Sequence, residues 1–124
     1  MIGGKNYEQW LENYLVLHMA RDASRIPELF AEDGVYWYGP YYQPRNGVDA
    51  IYEHHQNALS HQEDIKCKWK ILAVTDEFAL AWFDLTLKDL MEDEPNAYQG
   101  IIKFTLDDEG KCTFFEEWYN CTNI

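Results

Sequence analysis

The sequence has few of the residues that form covalent or metal cross-links. Its 124 residues include three cysteines, Cys67, Cys112 and Cys121, and no C-x-x-C motif. An odd number of scattered cysteines is typical of reduced thiols and argues against a disulfide framework. No histidine or cysteine spacing typical of a metal site is present. We therefore expect neither a metal nor another cofactor.

Long apolar runs are missing as well. No stretch approaches the roughly 18 consecutive apolar residues of a membrane-spanning helix. The first ten residues, MIGGKNYEQW, do not contain the apolar segment of a signal peptide. We therefore expect a cytoplasmic protein that does not act at a membrane.

Positive charge is scarce, whereas aromatic residues are abundant. The chain has 10 Lys and Arg against 22 Asp and Glu, which gives a net charge of −12. Such a domain repels phosphate backbones, so nucleic acid is not an expected partner. The 5 Trp, 9 Tyr and 6 Phe exceed what a small core usually needs. They indicate either an aromatic-lined cavity or interface, or simply an aromatic core.

The chain length predicts a single domain over residues 1–124. Apolar residues at helical spacing predict a first helix that begins after Asn6, with Tyr14 and His18 on its buried face. A second, short helix is predicted from Ser24 to a left-handed stop at Gly34. The first part of the chain is therefore expected to be mainly helical.

The remaining chain predicts one short strand, a third helix and then four strands. The short strand covers 35–38, and the helix covers 48–60 with His55 in the middle of its buried face. The central strand, 78–87, is apolar on both faces, so we expect it to be covered on both sides. Asp84 interrupts this pattern and must find partners, shift its pKa or face a pocket.

This order of elements belongs to the α+β class. We expect N-terminal helices packed on a curved antiparallel β-sheet, which together form a cone with an open mouth. No internal repeat or linker divides the chain.

Several segments carry a resemblance to a known family. They are LFAEDGV at 29–35, Pro40, PRNG at 44–47 leading into the third helix, LDDEGKC at 106–112 and EWY at 117–119. On these segments the chain resembles the nuclear-transport-factor-2-like (NTF2-like) superfamily and, within it, the SnoaL-like proteins. The resemblance implies a cone-shaped NTF2-like fold. It does not select a function, because the superfamily includes isomerases, dehydratases, cyclases, epoxide hydrolases and non-catalytic adaptors.

Within this superfamily the chain is similar to ketosteroid isomerase. The similarity places the hydrogen-bonding tyrosine of that enzyme at Tyr14, its aspartate base at Tyr38 and its protonated aspartic acid at Ile102. Since the base and one oxyanion donor are replaced, steroid isomerisation by that mechanism is not expected. The similarity also implies which strand residues face the cone interior: Leu80, Trp82, Asp84 and Thr86, then Tyr98, Gly100, Ile102 and Phe104, then Thr113, Phe115, Glu117 and Tyr119.

These inward faces define the candidate site. Two carboxylates in one apolar cavity repel each other, which raises one pKa toward neutrality. We therefore expect Asp84 to act as a base with Glu117 as its partner, and His55 or a tyrosine hydroxyl to take the complementary role. Tyr14 and Tyr38 are the expected hydrogen-bond donors to an oxyanion. The expected ligand-binding residues are His18, Trp69, Trp82, Tyr98, Ile102, Phe115 and Tyr119.

The sequence leaves three functions open. One is an enzyme for the isomerisation, dehydration or cyclisation of a small cyclic or aromatic compound. Another is a non-catalytic binder of a small-molecule ligand, in which the polar residues form a buried hydrogen-bond network. The third is an interaction module with a filled cone. If Phe83, Leu85 and Leu87 form an apolar outer sheet face, a second copy is its usual cover, so we expect a homodimer.

Overall fold

A computed structural model of the protein describes residues 5–91 and 94–123. Its helices are α1 (Tyr7–Ala20), a 3-10 turn (Ala23–Arg25), α2 (Ile26–Leu29) and α3 (Val48–Ser60). Its strands are β1 (Phe30–Trp37), β2 (Arg45–Asn46), β3 (Gln62–Val74), β4 (Ala79–Asp89), β5 (Glu94–Leu106) and β6 (Cys112–Asn123). No helix in these ranges is long and apolar enough to cross a membrane.

Helix α1 begins and packs as its sequence pattern predicts. The side chain of Asn6 caps it by accepting a hydrogen bond from the Gln9 backbone N–H at 3.0 Å. Trp10 joins the helix to the rest of the core, because its indole N–H donates to the Leu29 carbonyl at 2.9 Å. The Trp10 ring also stacks on Phe104 at 5.0 Å between ring centroids. These contacts hold α1 against the inner face of the sheet.

The segment after α1 differs from the predicted second helix. Helix α2 has only four residues, and strand β1 already begins at Phe30. Gly34 lies within β1 and does not form a left-handed helix stop. A side chain at this position would approach the carbonyl oxygens of Ala31 and Cys112 at 3.1 Å. Glycine is therefore favoured here by the close approach of β6 rather than by the helix end.

The six strands form one sheet in the order β2-β1-β6-β5-β4-β3. The four long strands β3 to β6 pair antiparallel with their neighbours, as predicted. Strand β1 pairs in parallel with β6, so the sheet is mixed and not purely antiparallel. The curved sheet and the three helices form the expected α+β cone. Shifts of register in β1, β3 and β5 introduce the bulges that let a sheet bend.

Strand β4 has the opposite orientation from the one predicted. Phe83 faces the interior with Ala79 and Ala81, whereas Trp82 and Asp84 face outward. The alternation alone cannot choose between two apolar faces. The interior beside β4 already holds the large rings of the core, including Phe104 opposite Ala79. The small alanine side chains fit there, and the Trp82 indole lies on the outer face.

Gly100 allows an unusually close approach of two strands. It lies opposite Tyr119 in the β5–β6 ladder. A Cβ atom at this position would lie 1.9 Å from the carbonyl oxygen of Trp118, which is a backbone atom that cannot turn away. Gly100 is thus required for the packing of β6 against β5.

We expect Gly100→Ala to lower the free energy of unfolding by about 3 kcal/mol or more, since the added methyl group forces the two strands apart. Urea denaturation measures this loss. Gln99→Ala is the matched control, because Gln99 is exposed on the same strand and its replacement should change stability by less than about 0.5 kcal/mol. Equal stability of the two variants would contradict the assigned close contact.

Candidate active site

A cavity of about 220 Å³ lies between the helices and the inner face of the sheet. Apolar side chains cover much of its wall: Leu15, Ala58, Leu59, Phe83, Leu85, Leu87 and Ile102. Polar and aromatic side chains form the remainder: Tyr14, His18, Tyr36, Tyr38, His54, His55, Gln62, Tyr98, Glu117 and Tyr119. Drug-sized ligands usually occupy roughly 300–1,000 Å³. This cavity therefore suits a compact molecule.

Regular secondary structure aims these polar groups at the cavity. Tyr14 and His18 are four residues apart on α1, so they lie on one face of the helix. Glu117 is two residues from Tyr119 on β6, so this pair shares one face of the sheet. Tyr36 lies on β1, and Tyr38 directly follows the strand with its ring stacked 6.1 Å from that of Tyr36. The site is thus carried by helices and strands rather than by loops.

A chain of hydrogen bonds connects α3 to β6 through the interior. The Nε2 atom of His55 lies 2.9 Å from the hydroxyl of Tyr14. That hydroxyl lies 3.1 Å from the hydroxyl of Tyr36, which lies 3.4 Å from Oε1 of Glu117. His55, Tyr14 and Tyr36 are all buried. The Glu117 carboxyl, at the end of this chain, lines the cavity.

The backbone determines which nitrogen of His55 carries a proton. Nδ1 lies 2.8 Å from the Ile51 carbonyl oxygen, which only accepts hydrogen bonds. Nδ1 is therefore the donor. Burial, reinforced by the nearby His18 ring, lowers the pKa of His55 well below its usual value, so the ring is neutral at pH 7. Nε2 then carries a lone pair and accepts a hydrogen bond from Tyr14.

Burial has the opposite effect on Glu117. It raises the pKa of this carboxyl from its usual value of 4.5 to about 8, although the hydrogen bond with Tyr36 opposes the shift. Burial likewise raises the pKa values of Tyr14 and Tyr36 well above 10. At pH 7 most molecules therefore carry Glu117 as a neutral carboxylic acid that faces the cavity.

The other histidines of the cavity wall are neutral too. Burial, with a smaller contribution from the Arg45 cation, lowers the pKa of His54 to about 4. Burial also lowers the pKa of His18, whose Nδ1 lies 2.8 Å from the Tyr14 carbonyl oxygen. No lysine, arginine or aspartate is among the residues that line the cavity in the described ranges. The cavity is consequently uncharged at neutral pH.

Aromatic rings form one end of the site. The Tyr38 ring lies between Tyr42, at 4.5 Å between centroids, and His54, at 4.3 Å. Arg45 donates a hydrogen bond to the Tyr38 hydroxyl at 3.4 Å, and its guanidinium lies 5.5 Å from the centre of that ring. Neither ring nitrogen of His54 has a hydrogen-bond partner among residues 5–91 and 94–123. The His54 imidazole is thus free to bind a ligand.

Most of the predicted site residues line this cavity. They are Tyr14, His18, Tyr38, His55, Tyr98, Ile102, Glu117 and Tyr119. The faces predicted for β5 and β6 are therefore confirmed.

The structure corrects four of the predicted positions. Asp84 and Trp82 lie on the outer face of β4, opposite Lys68 and Lys70, because β4 has the reverse orientation. Trp69 packs beside the core on the edge strand β3 and does not reach the cavity. Phe115 is completely buried, with its ring 5.0 Å from that of Tyr36. It lies on the inward face of β6 but packs in the core against Trp10 and Tyr14 and does not line the cavity.

Sequence reasoning missed two residues of the site. Tyr36 shares its strand face with Tyr38, so the alternation of β1 contained the signal for it. His54 lies at the edge of the buried face of α3, where helical periodicity is least informative. Both were overlooked because the resemblance drew attention to the neighbouring positions, Tyr38 and His55.

Metal chemistry has no evident location in the described part of the chain. No group of three or more His, Cys, Asp or Glu side chains is arranged there to hold a metal ion. Cys67, Cys112 and Cys121 are free thiols.

Solved structures with this architecture include several proteins related to enzymes. The epoxide hydrolase/cyclase-like enzyme SalBIII, with a role in pyran ring formation in the polyether salinomycin, superposes with a TM-score of 0.83 at 14% identity over 94% of this chain and 95% of its own. An M. tuberculosis LEH-like epoxide hydrolase gives 0.76 at 14% identity over 90% and 80%. A Bacillus subtilis protein proposed to be an isomerase gives 0.78 at 18% identity over 90% and 84%. At these identities the likeness establishes the fold alone.

Sequence comparison identifies the family directly. No protein of curated function matches the chain. The model of the SnoaL-like domain matches residues 8–115, which include every element from α1 to the first residues of β6. The chain is therefore a SnoaL-like protein with the NTF2-like fold and belongs to the SnoaL-like domain family.

Proposed function

We propose that the protein catalyses an acid-assisted isomerisation, dehydration or cyclisation of a small uncharged molecule, with Glu117 as the proton donor. One observation carries this proposal: a carboxyl group with a pKa of about 8 lines an apolar cavity of about 220 Å³. A general acid works best when its pKa lies near the working pH. The three enzyme-related neighbours of the same fold support a reaction of this class.

The sequence predicted two carboxylates in the cavity, Asp84 and Glu117, whereas the proposed reaction uses Glu117 alone. Asp84 lies outside the cavity, so it is no longer a candidate base. In the proposed reaction the Glu117 proton goes to the oxygen of a breaking C–O bond. The ionised carboxylate is then stabilised when Tyr36, 3.4 Å away, turns its hydroxyl proton from Tyr14 to Glu117.

We propose that His54 is the second polar group that acts on the substrate, on the side opposite Glu117. Its imidazole is neutral and its nitrogens are unoccupied by the described residues. A pKa of about 4 makes it a weak base, so its role is to accept a hydrogen bond from a hydroxyl group or water and orient it for attack. The proton that this group or the substrate carbon loses goes to the ionised Glu117 carboxylate, which regenerates the acid. Tyr38, Tyr98 and Tyr119 offer further hydroxyl groups along the wall.

The uncharged wall indicates the charge of the ligand. An anion or a cation in this cavity would lose its hydration without gaining an opposite charge. A compact ring compound with ether, epoxide, carbonyl or hydroxyl oxygens instead fits both the apolar side chains and the acid.

The protonation of Glu117 predicts a pH-dependent difference in stability. A carboxyl group whose pKa is raised on folding contributes stability below its unfolded pKa of about 4.5, and this contribution is lost as the pH rises through about 8. Relative to the wild type, Glu117→Gln should therefore gain roughly 1.4 kcal/mol for each pH unit across this interval. Urea denaturation of both proteins from pH 5 to pH 9 tests this. Parallel curves would show that Glu117 is not a buried acid.

Turnover tests the reaction itself. We expect the wild type to accelerate the isomerisation of cyclohexene oxide to cyclohexanone or the dehydration of 3-hydroxycyclohexanone, and Glu117→Gln to lose about 10²–10⁴-fold in rate. Asp84→Asn is the matched control, because it removes a carboxylate on the outer face of the same sheet and should leave the rate unchanged. Binding of both probes without any turnover would instead identify a non-catalytic binding protein.

We also propose that the protein forms a homodimer through its outer sheet face. Lys70, Trp82, Ile101 and Trp118 form one row across four strands of this face. Trp118 is 41% exposed, whereas soluble monomers rarely leave large apolar patches exposed to water. A two-fold axis parallel to the strands sets the Lys70 end of one row against the Trp118 ring of the other, which is a favourable cation–π arrangement.

We expect sedimentation equilibrium to give a dimer for the wild type and a monomer for the double variant Trp82→Glu, Trp118→Glu, since four carboxylates would meet in the interface. The control Leu72→Glu, at a similarly exposed position outside this row, should remain dimeric. A monomeric wild type at micromolar concentration would overturn the proposed dimer.

A further inference from the structure

The hydrogen-bond chain from His55 to Glu117 has a direction, which follows from the groups at its two ends. Each tyrosine hydroxyl has one proton to donate and also accepts. Tyr14 and Tyr36 therefore each point their single proton either toward His55 or toward Glu117. The distances of 2.9, 3.1 and 3.4 Å are compatible with both directions. The protonation of the end groups must decide between them.

We propose that His55 is a positioning residue. Through Tyr14 and Tyr36 it sets the direction of the hydrogen-bond chain, so that the Glu117 carboxyl keeps its proton. This inference rests on the proposed role of Glu117 as an acid. It adds a reason, beyond burial, why a carboxyl group at this position remains protonated. The residues involved lie on α3, α1 and β1, whereas Glu117 is on β6.

The argument begins at the backbone of α3. The Ile51 carbonyl oxygen, 2.8 Å from Nδ1 of His55, holds the proton on that nitrogen. Nε2 of the neutral ring is then an acceptor, and Tyr14 must donate to it. Having spent its one proton, Tyr14 can only accept from Tyr36. If Tyr36 gives its proton to Tyr14, it can only accept from Glu117, which requires the protonated acid.

The opposite direction needs a charged interior. If Glu117 ionises and accepts from Tyr36, Tyr36 accepts from Tyr14, and Tyr14 needs a donor on His55. His55 would then carry protons on both nitrogens and become a cation. It is 2% exposed, with the His18 and His54 rings each 5.4 Å away. Separating the charges of a buried imidazolium and a buried carboxylate is unfavourable, so the neutral direction is preferred.

The other ionisable groups around Glu117 do not supply a competing charge. The elements that enclose it carry Tyr14 and His18 on α1, Tyr36 and Tyr38 on β1, His54 and His55 on α3, Cys67 on β3, Tyr98 on β5 and Tyr119 on β6. Burial raises the pKa values of these thiol and phenol groups other than Tyr38 and lowers those of the imidazoles, so it favours the neutral form of each. Arg45 is the nearest cation named in the site, and it is bound to the Tyr38 hydroxyl. The direction of the hydrogen-bond chain therefore depends on its own four members and not on a neighbouring charge.

The test is the pKa of Glu117 in Tyr14→Phe, measured by carbon-13 NMR titration of labelled glutamate carboxyls and assigned with Glu117→Gln. Loss of the Tyr14 hydroxyl leaves Tyr36 without an acceptor on that side. Its proton, no longer shared with Tyr14, should be donated to Glu117 alone and lower the pKa of the carboxyl by about one to two units. A more apolar interior alone would raise this pKa, so the sign of the change distinguishes the two effects.

His55→Phe is the second variant and keeps a ring of similar size at the same place. It removes the acceptor for Tyr14, so the whole chain should reverse and lower the pKa of Glu117 by a similar amount. Tyr98→Phe is the control, because Tyr98 also lines the cavity but its hydroxyl interacts with Asn96 and Cys121. This variant should leave the Glu117 titration unchanged.

The outcomes separate this inference from the proposed function. A Glu117 pKa near 4.5 in the wild type would remove the proposed acid and the relay together. A pKa near 8 that stays the same or rises in both Tyr14→Phe and His55→Phe would overturn the relay and leave the acid in place. Lowering in both variants, with no change in Tyr98→Phe, is the expected result.

Discussion

The proposed chemistry of this protein depends on the burial of one carboxyl group. Glu117 extends from β6 into a cavity whose other ionisable side chains are neutral. Because a carboxylate in such surroundings has no nearby cation, the group retains its proton up to about pH 8. A neutral acid in an apolar cavity can both bind an oxygen of a ligand and protonate it. The rest of the site is arranged around this property.

The fold makes that arrangement rigid. Tyr14 and His55 are presented by helices, and Tyr36 and Glu117 by two strands that run parallel to each other. Behind them, Phe115 and Trp10 pack the helices against the sheet with ring centroids 6.0 Å apart. A hydrogen-bond chain that crosses from α3 to β6 can keep one direction only if its members hold their positions. The composition left open whether the aromatic residues form a core or line a cavity. The structure shows that they do both.

A single carboxylate narrows the mechanisms that this site supports. The sequence suggested a pair, Asp84 and Glu117, in which mutual repulsion would raise one pKa. With Asp84 on the outer face, desolvation alone raises the pKa of Glu117. The second proton-handling group must then be an imidazole. Its low basicity favours substrates that need orientation of a hydroxyl or water more than removal of a tightly held proton.

How much of this was accessible from the sequence differs from residue to residue. The helical spacing of Tyr14 and His18, the alternation of Glu117 and Tyr119, and the family resemblance together predicted the cone and about half of the residues that line the cavity. The parallel pairing of β1 with β6 was not predicted, because it joins segments about 80 residues apart that no local pattern connects. Tyr36 was within reach, since it shares a strand face with Tyr38.

The orientation of β4 marks the limit of the sequence. Its residues alternate with a period of two, so the sequence by itself determined that Asp84 shares a face with Trp82 and that Phe83 shares one with Leu85. Both faces are apolar, and local pattern therefore contains no preference between them. Only the tertiary structure decided that Phe83 faces inward, because the rings of the core leave room beside β4 for Ala79 and Ala81 and none for an indole. That packing choice placed Asp84 outside and left Glu117 as the acid of the cavity.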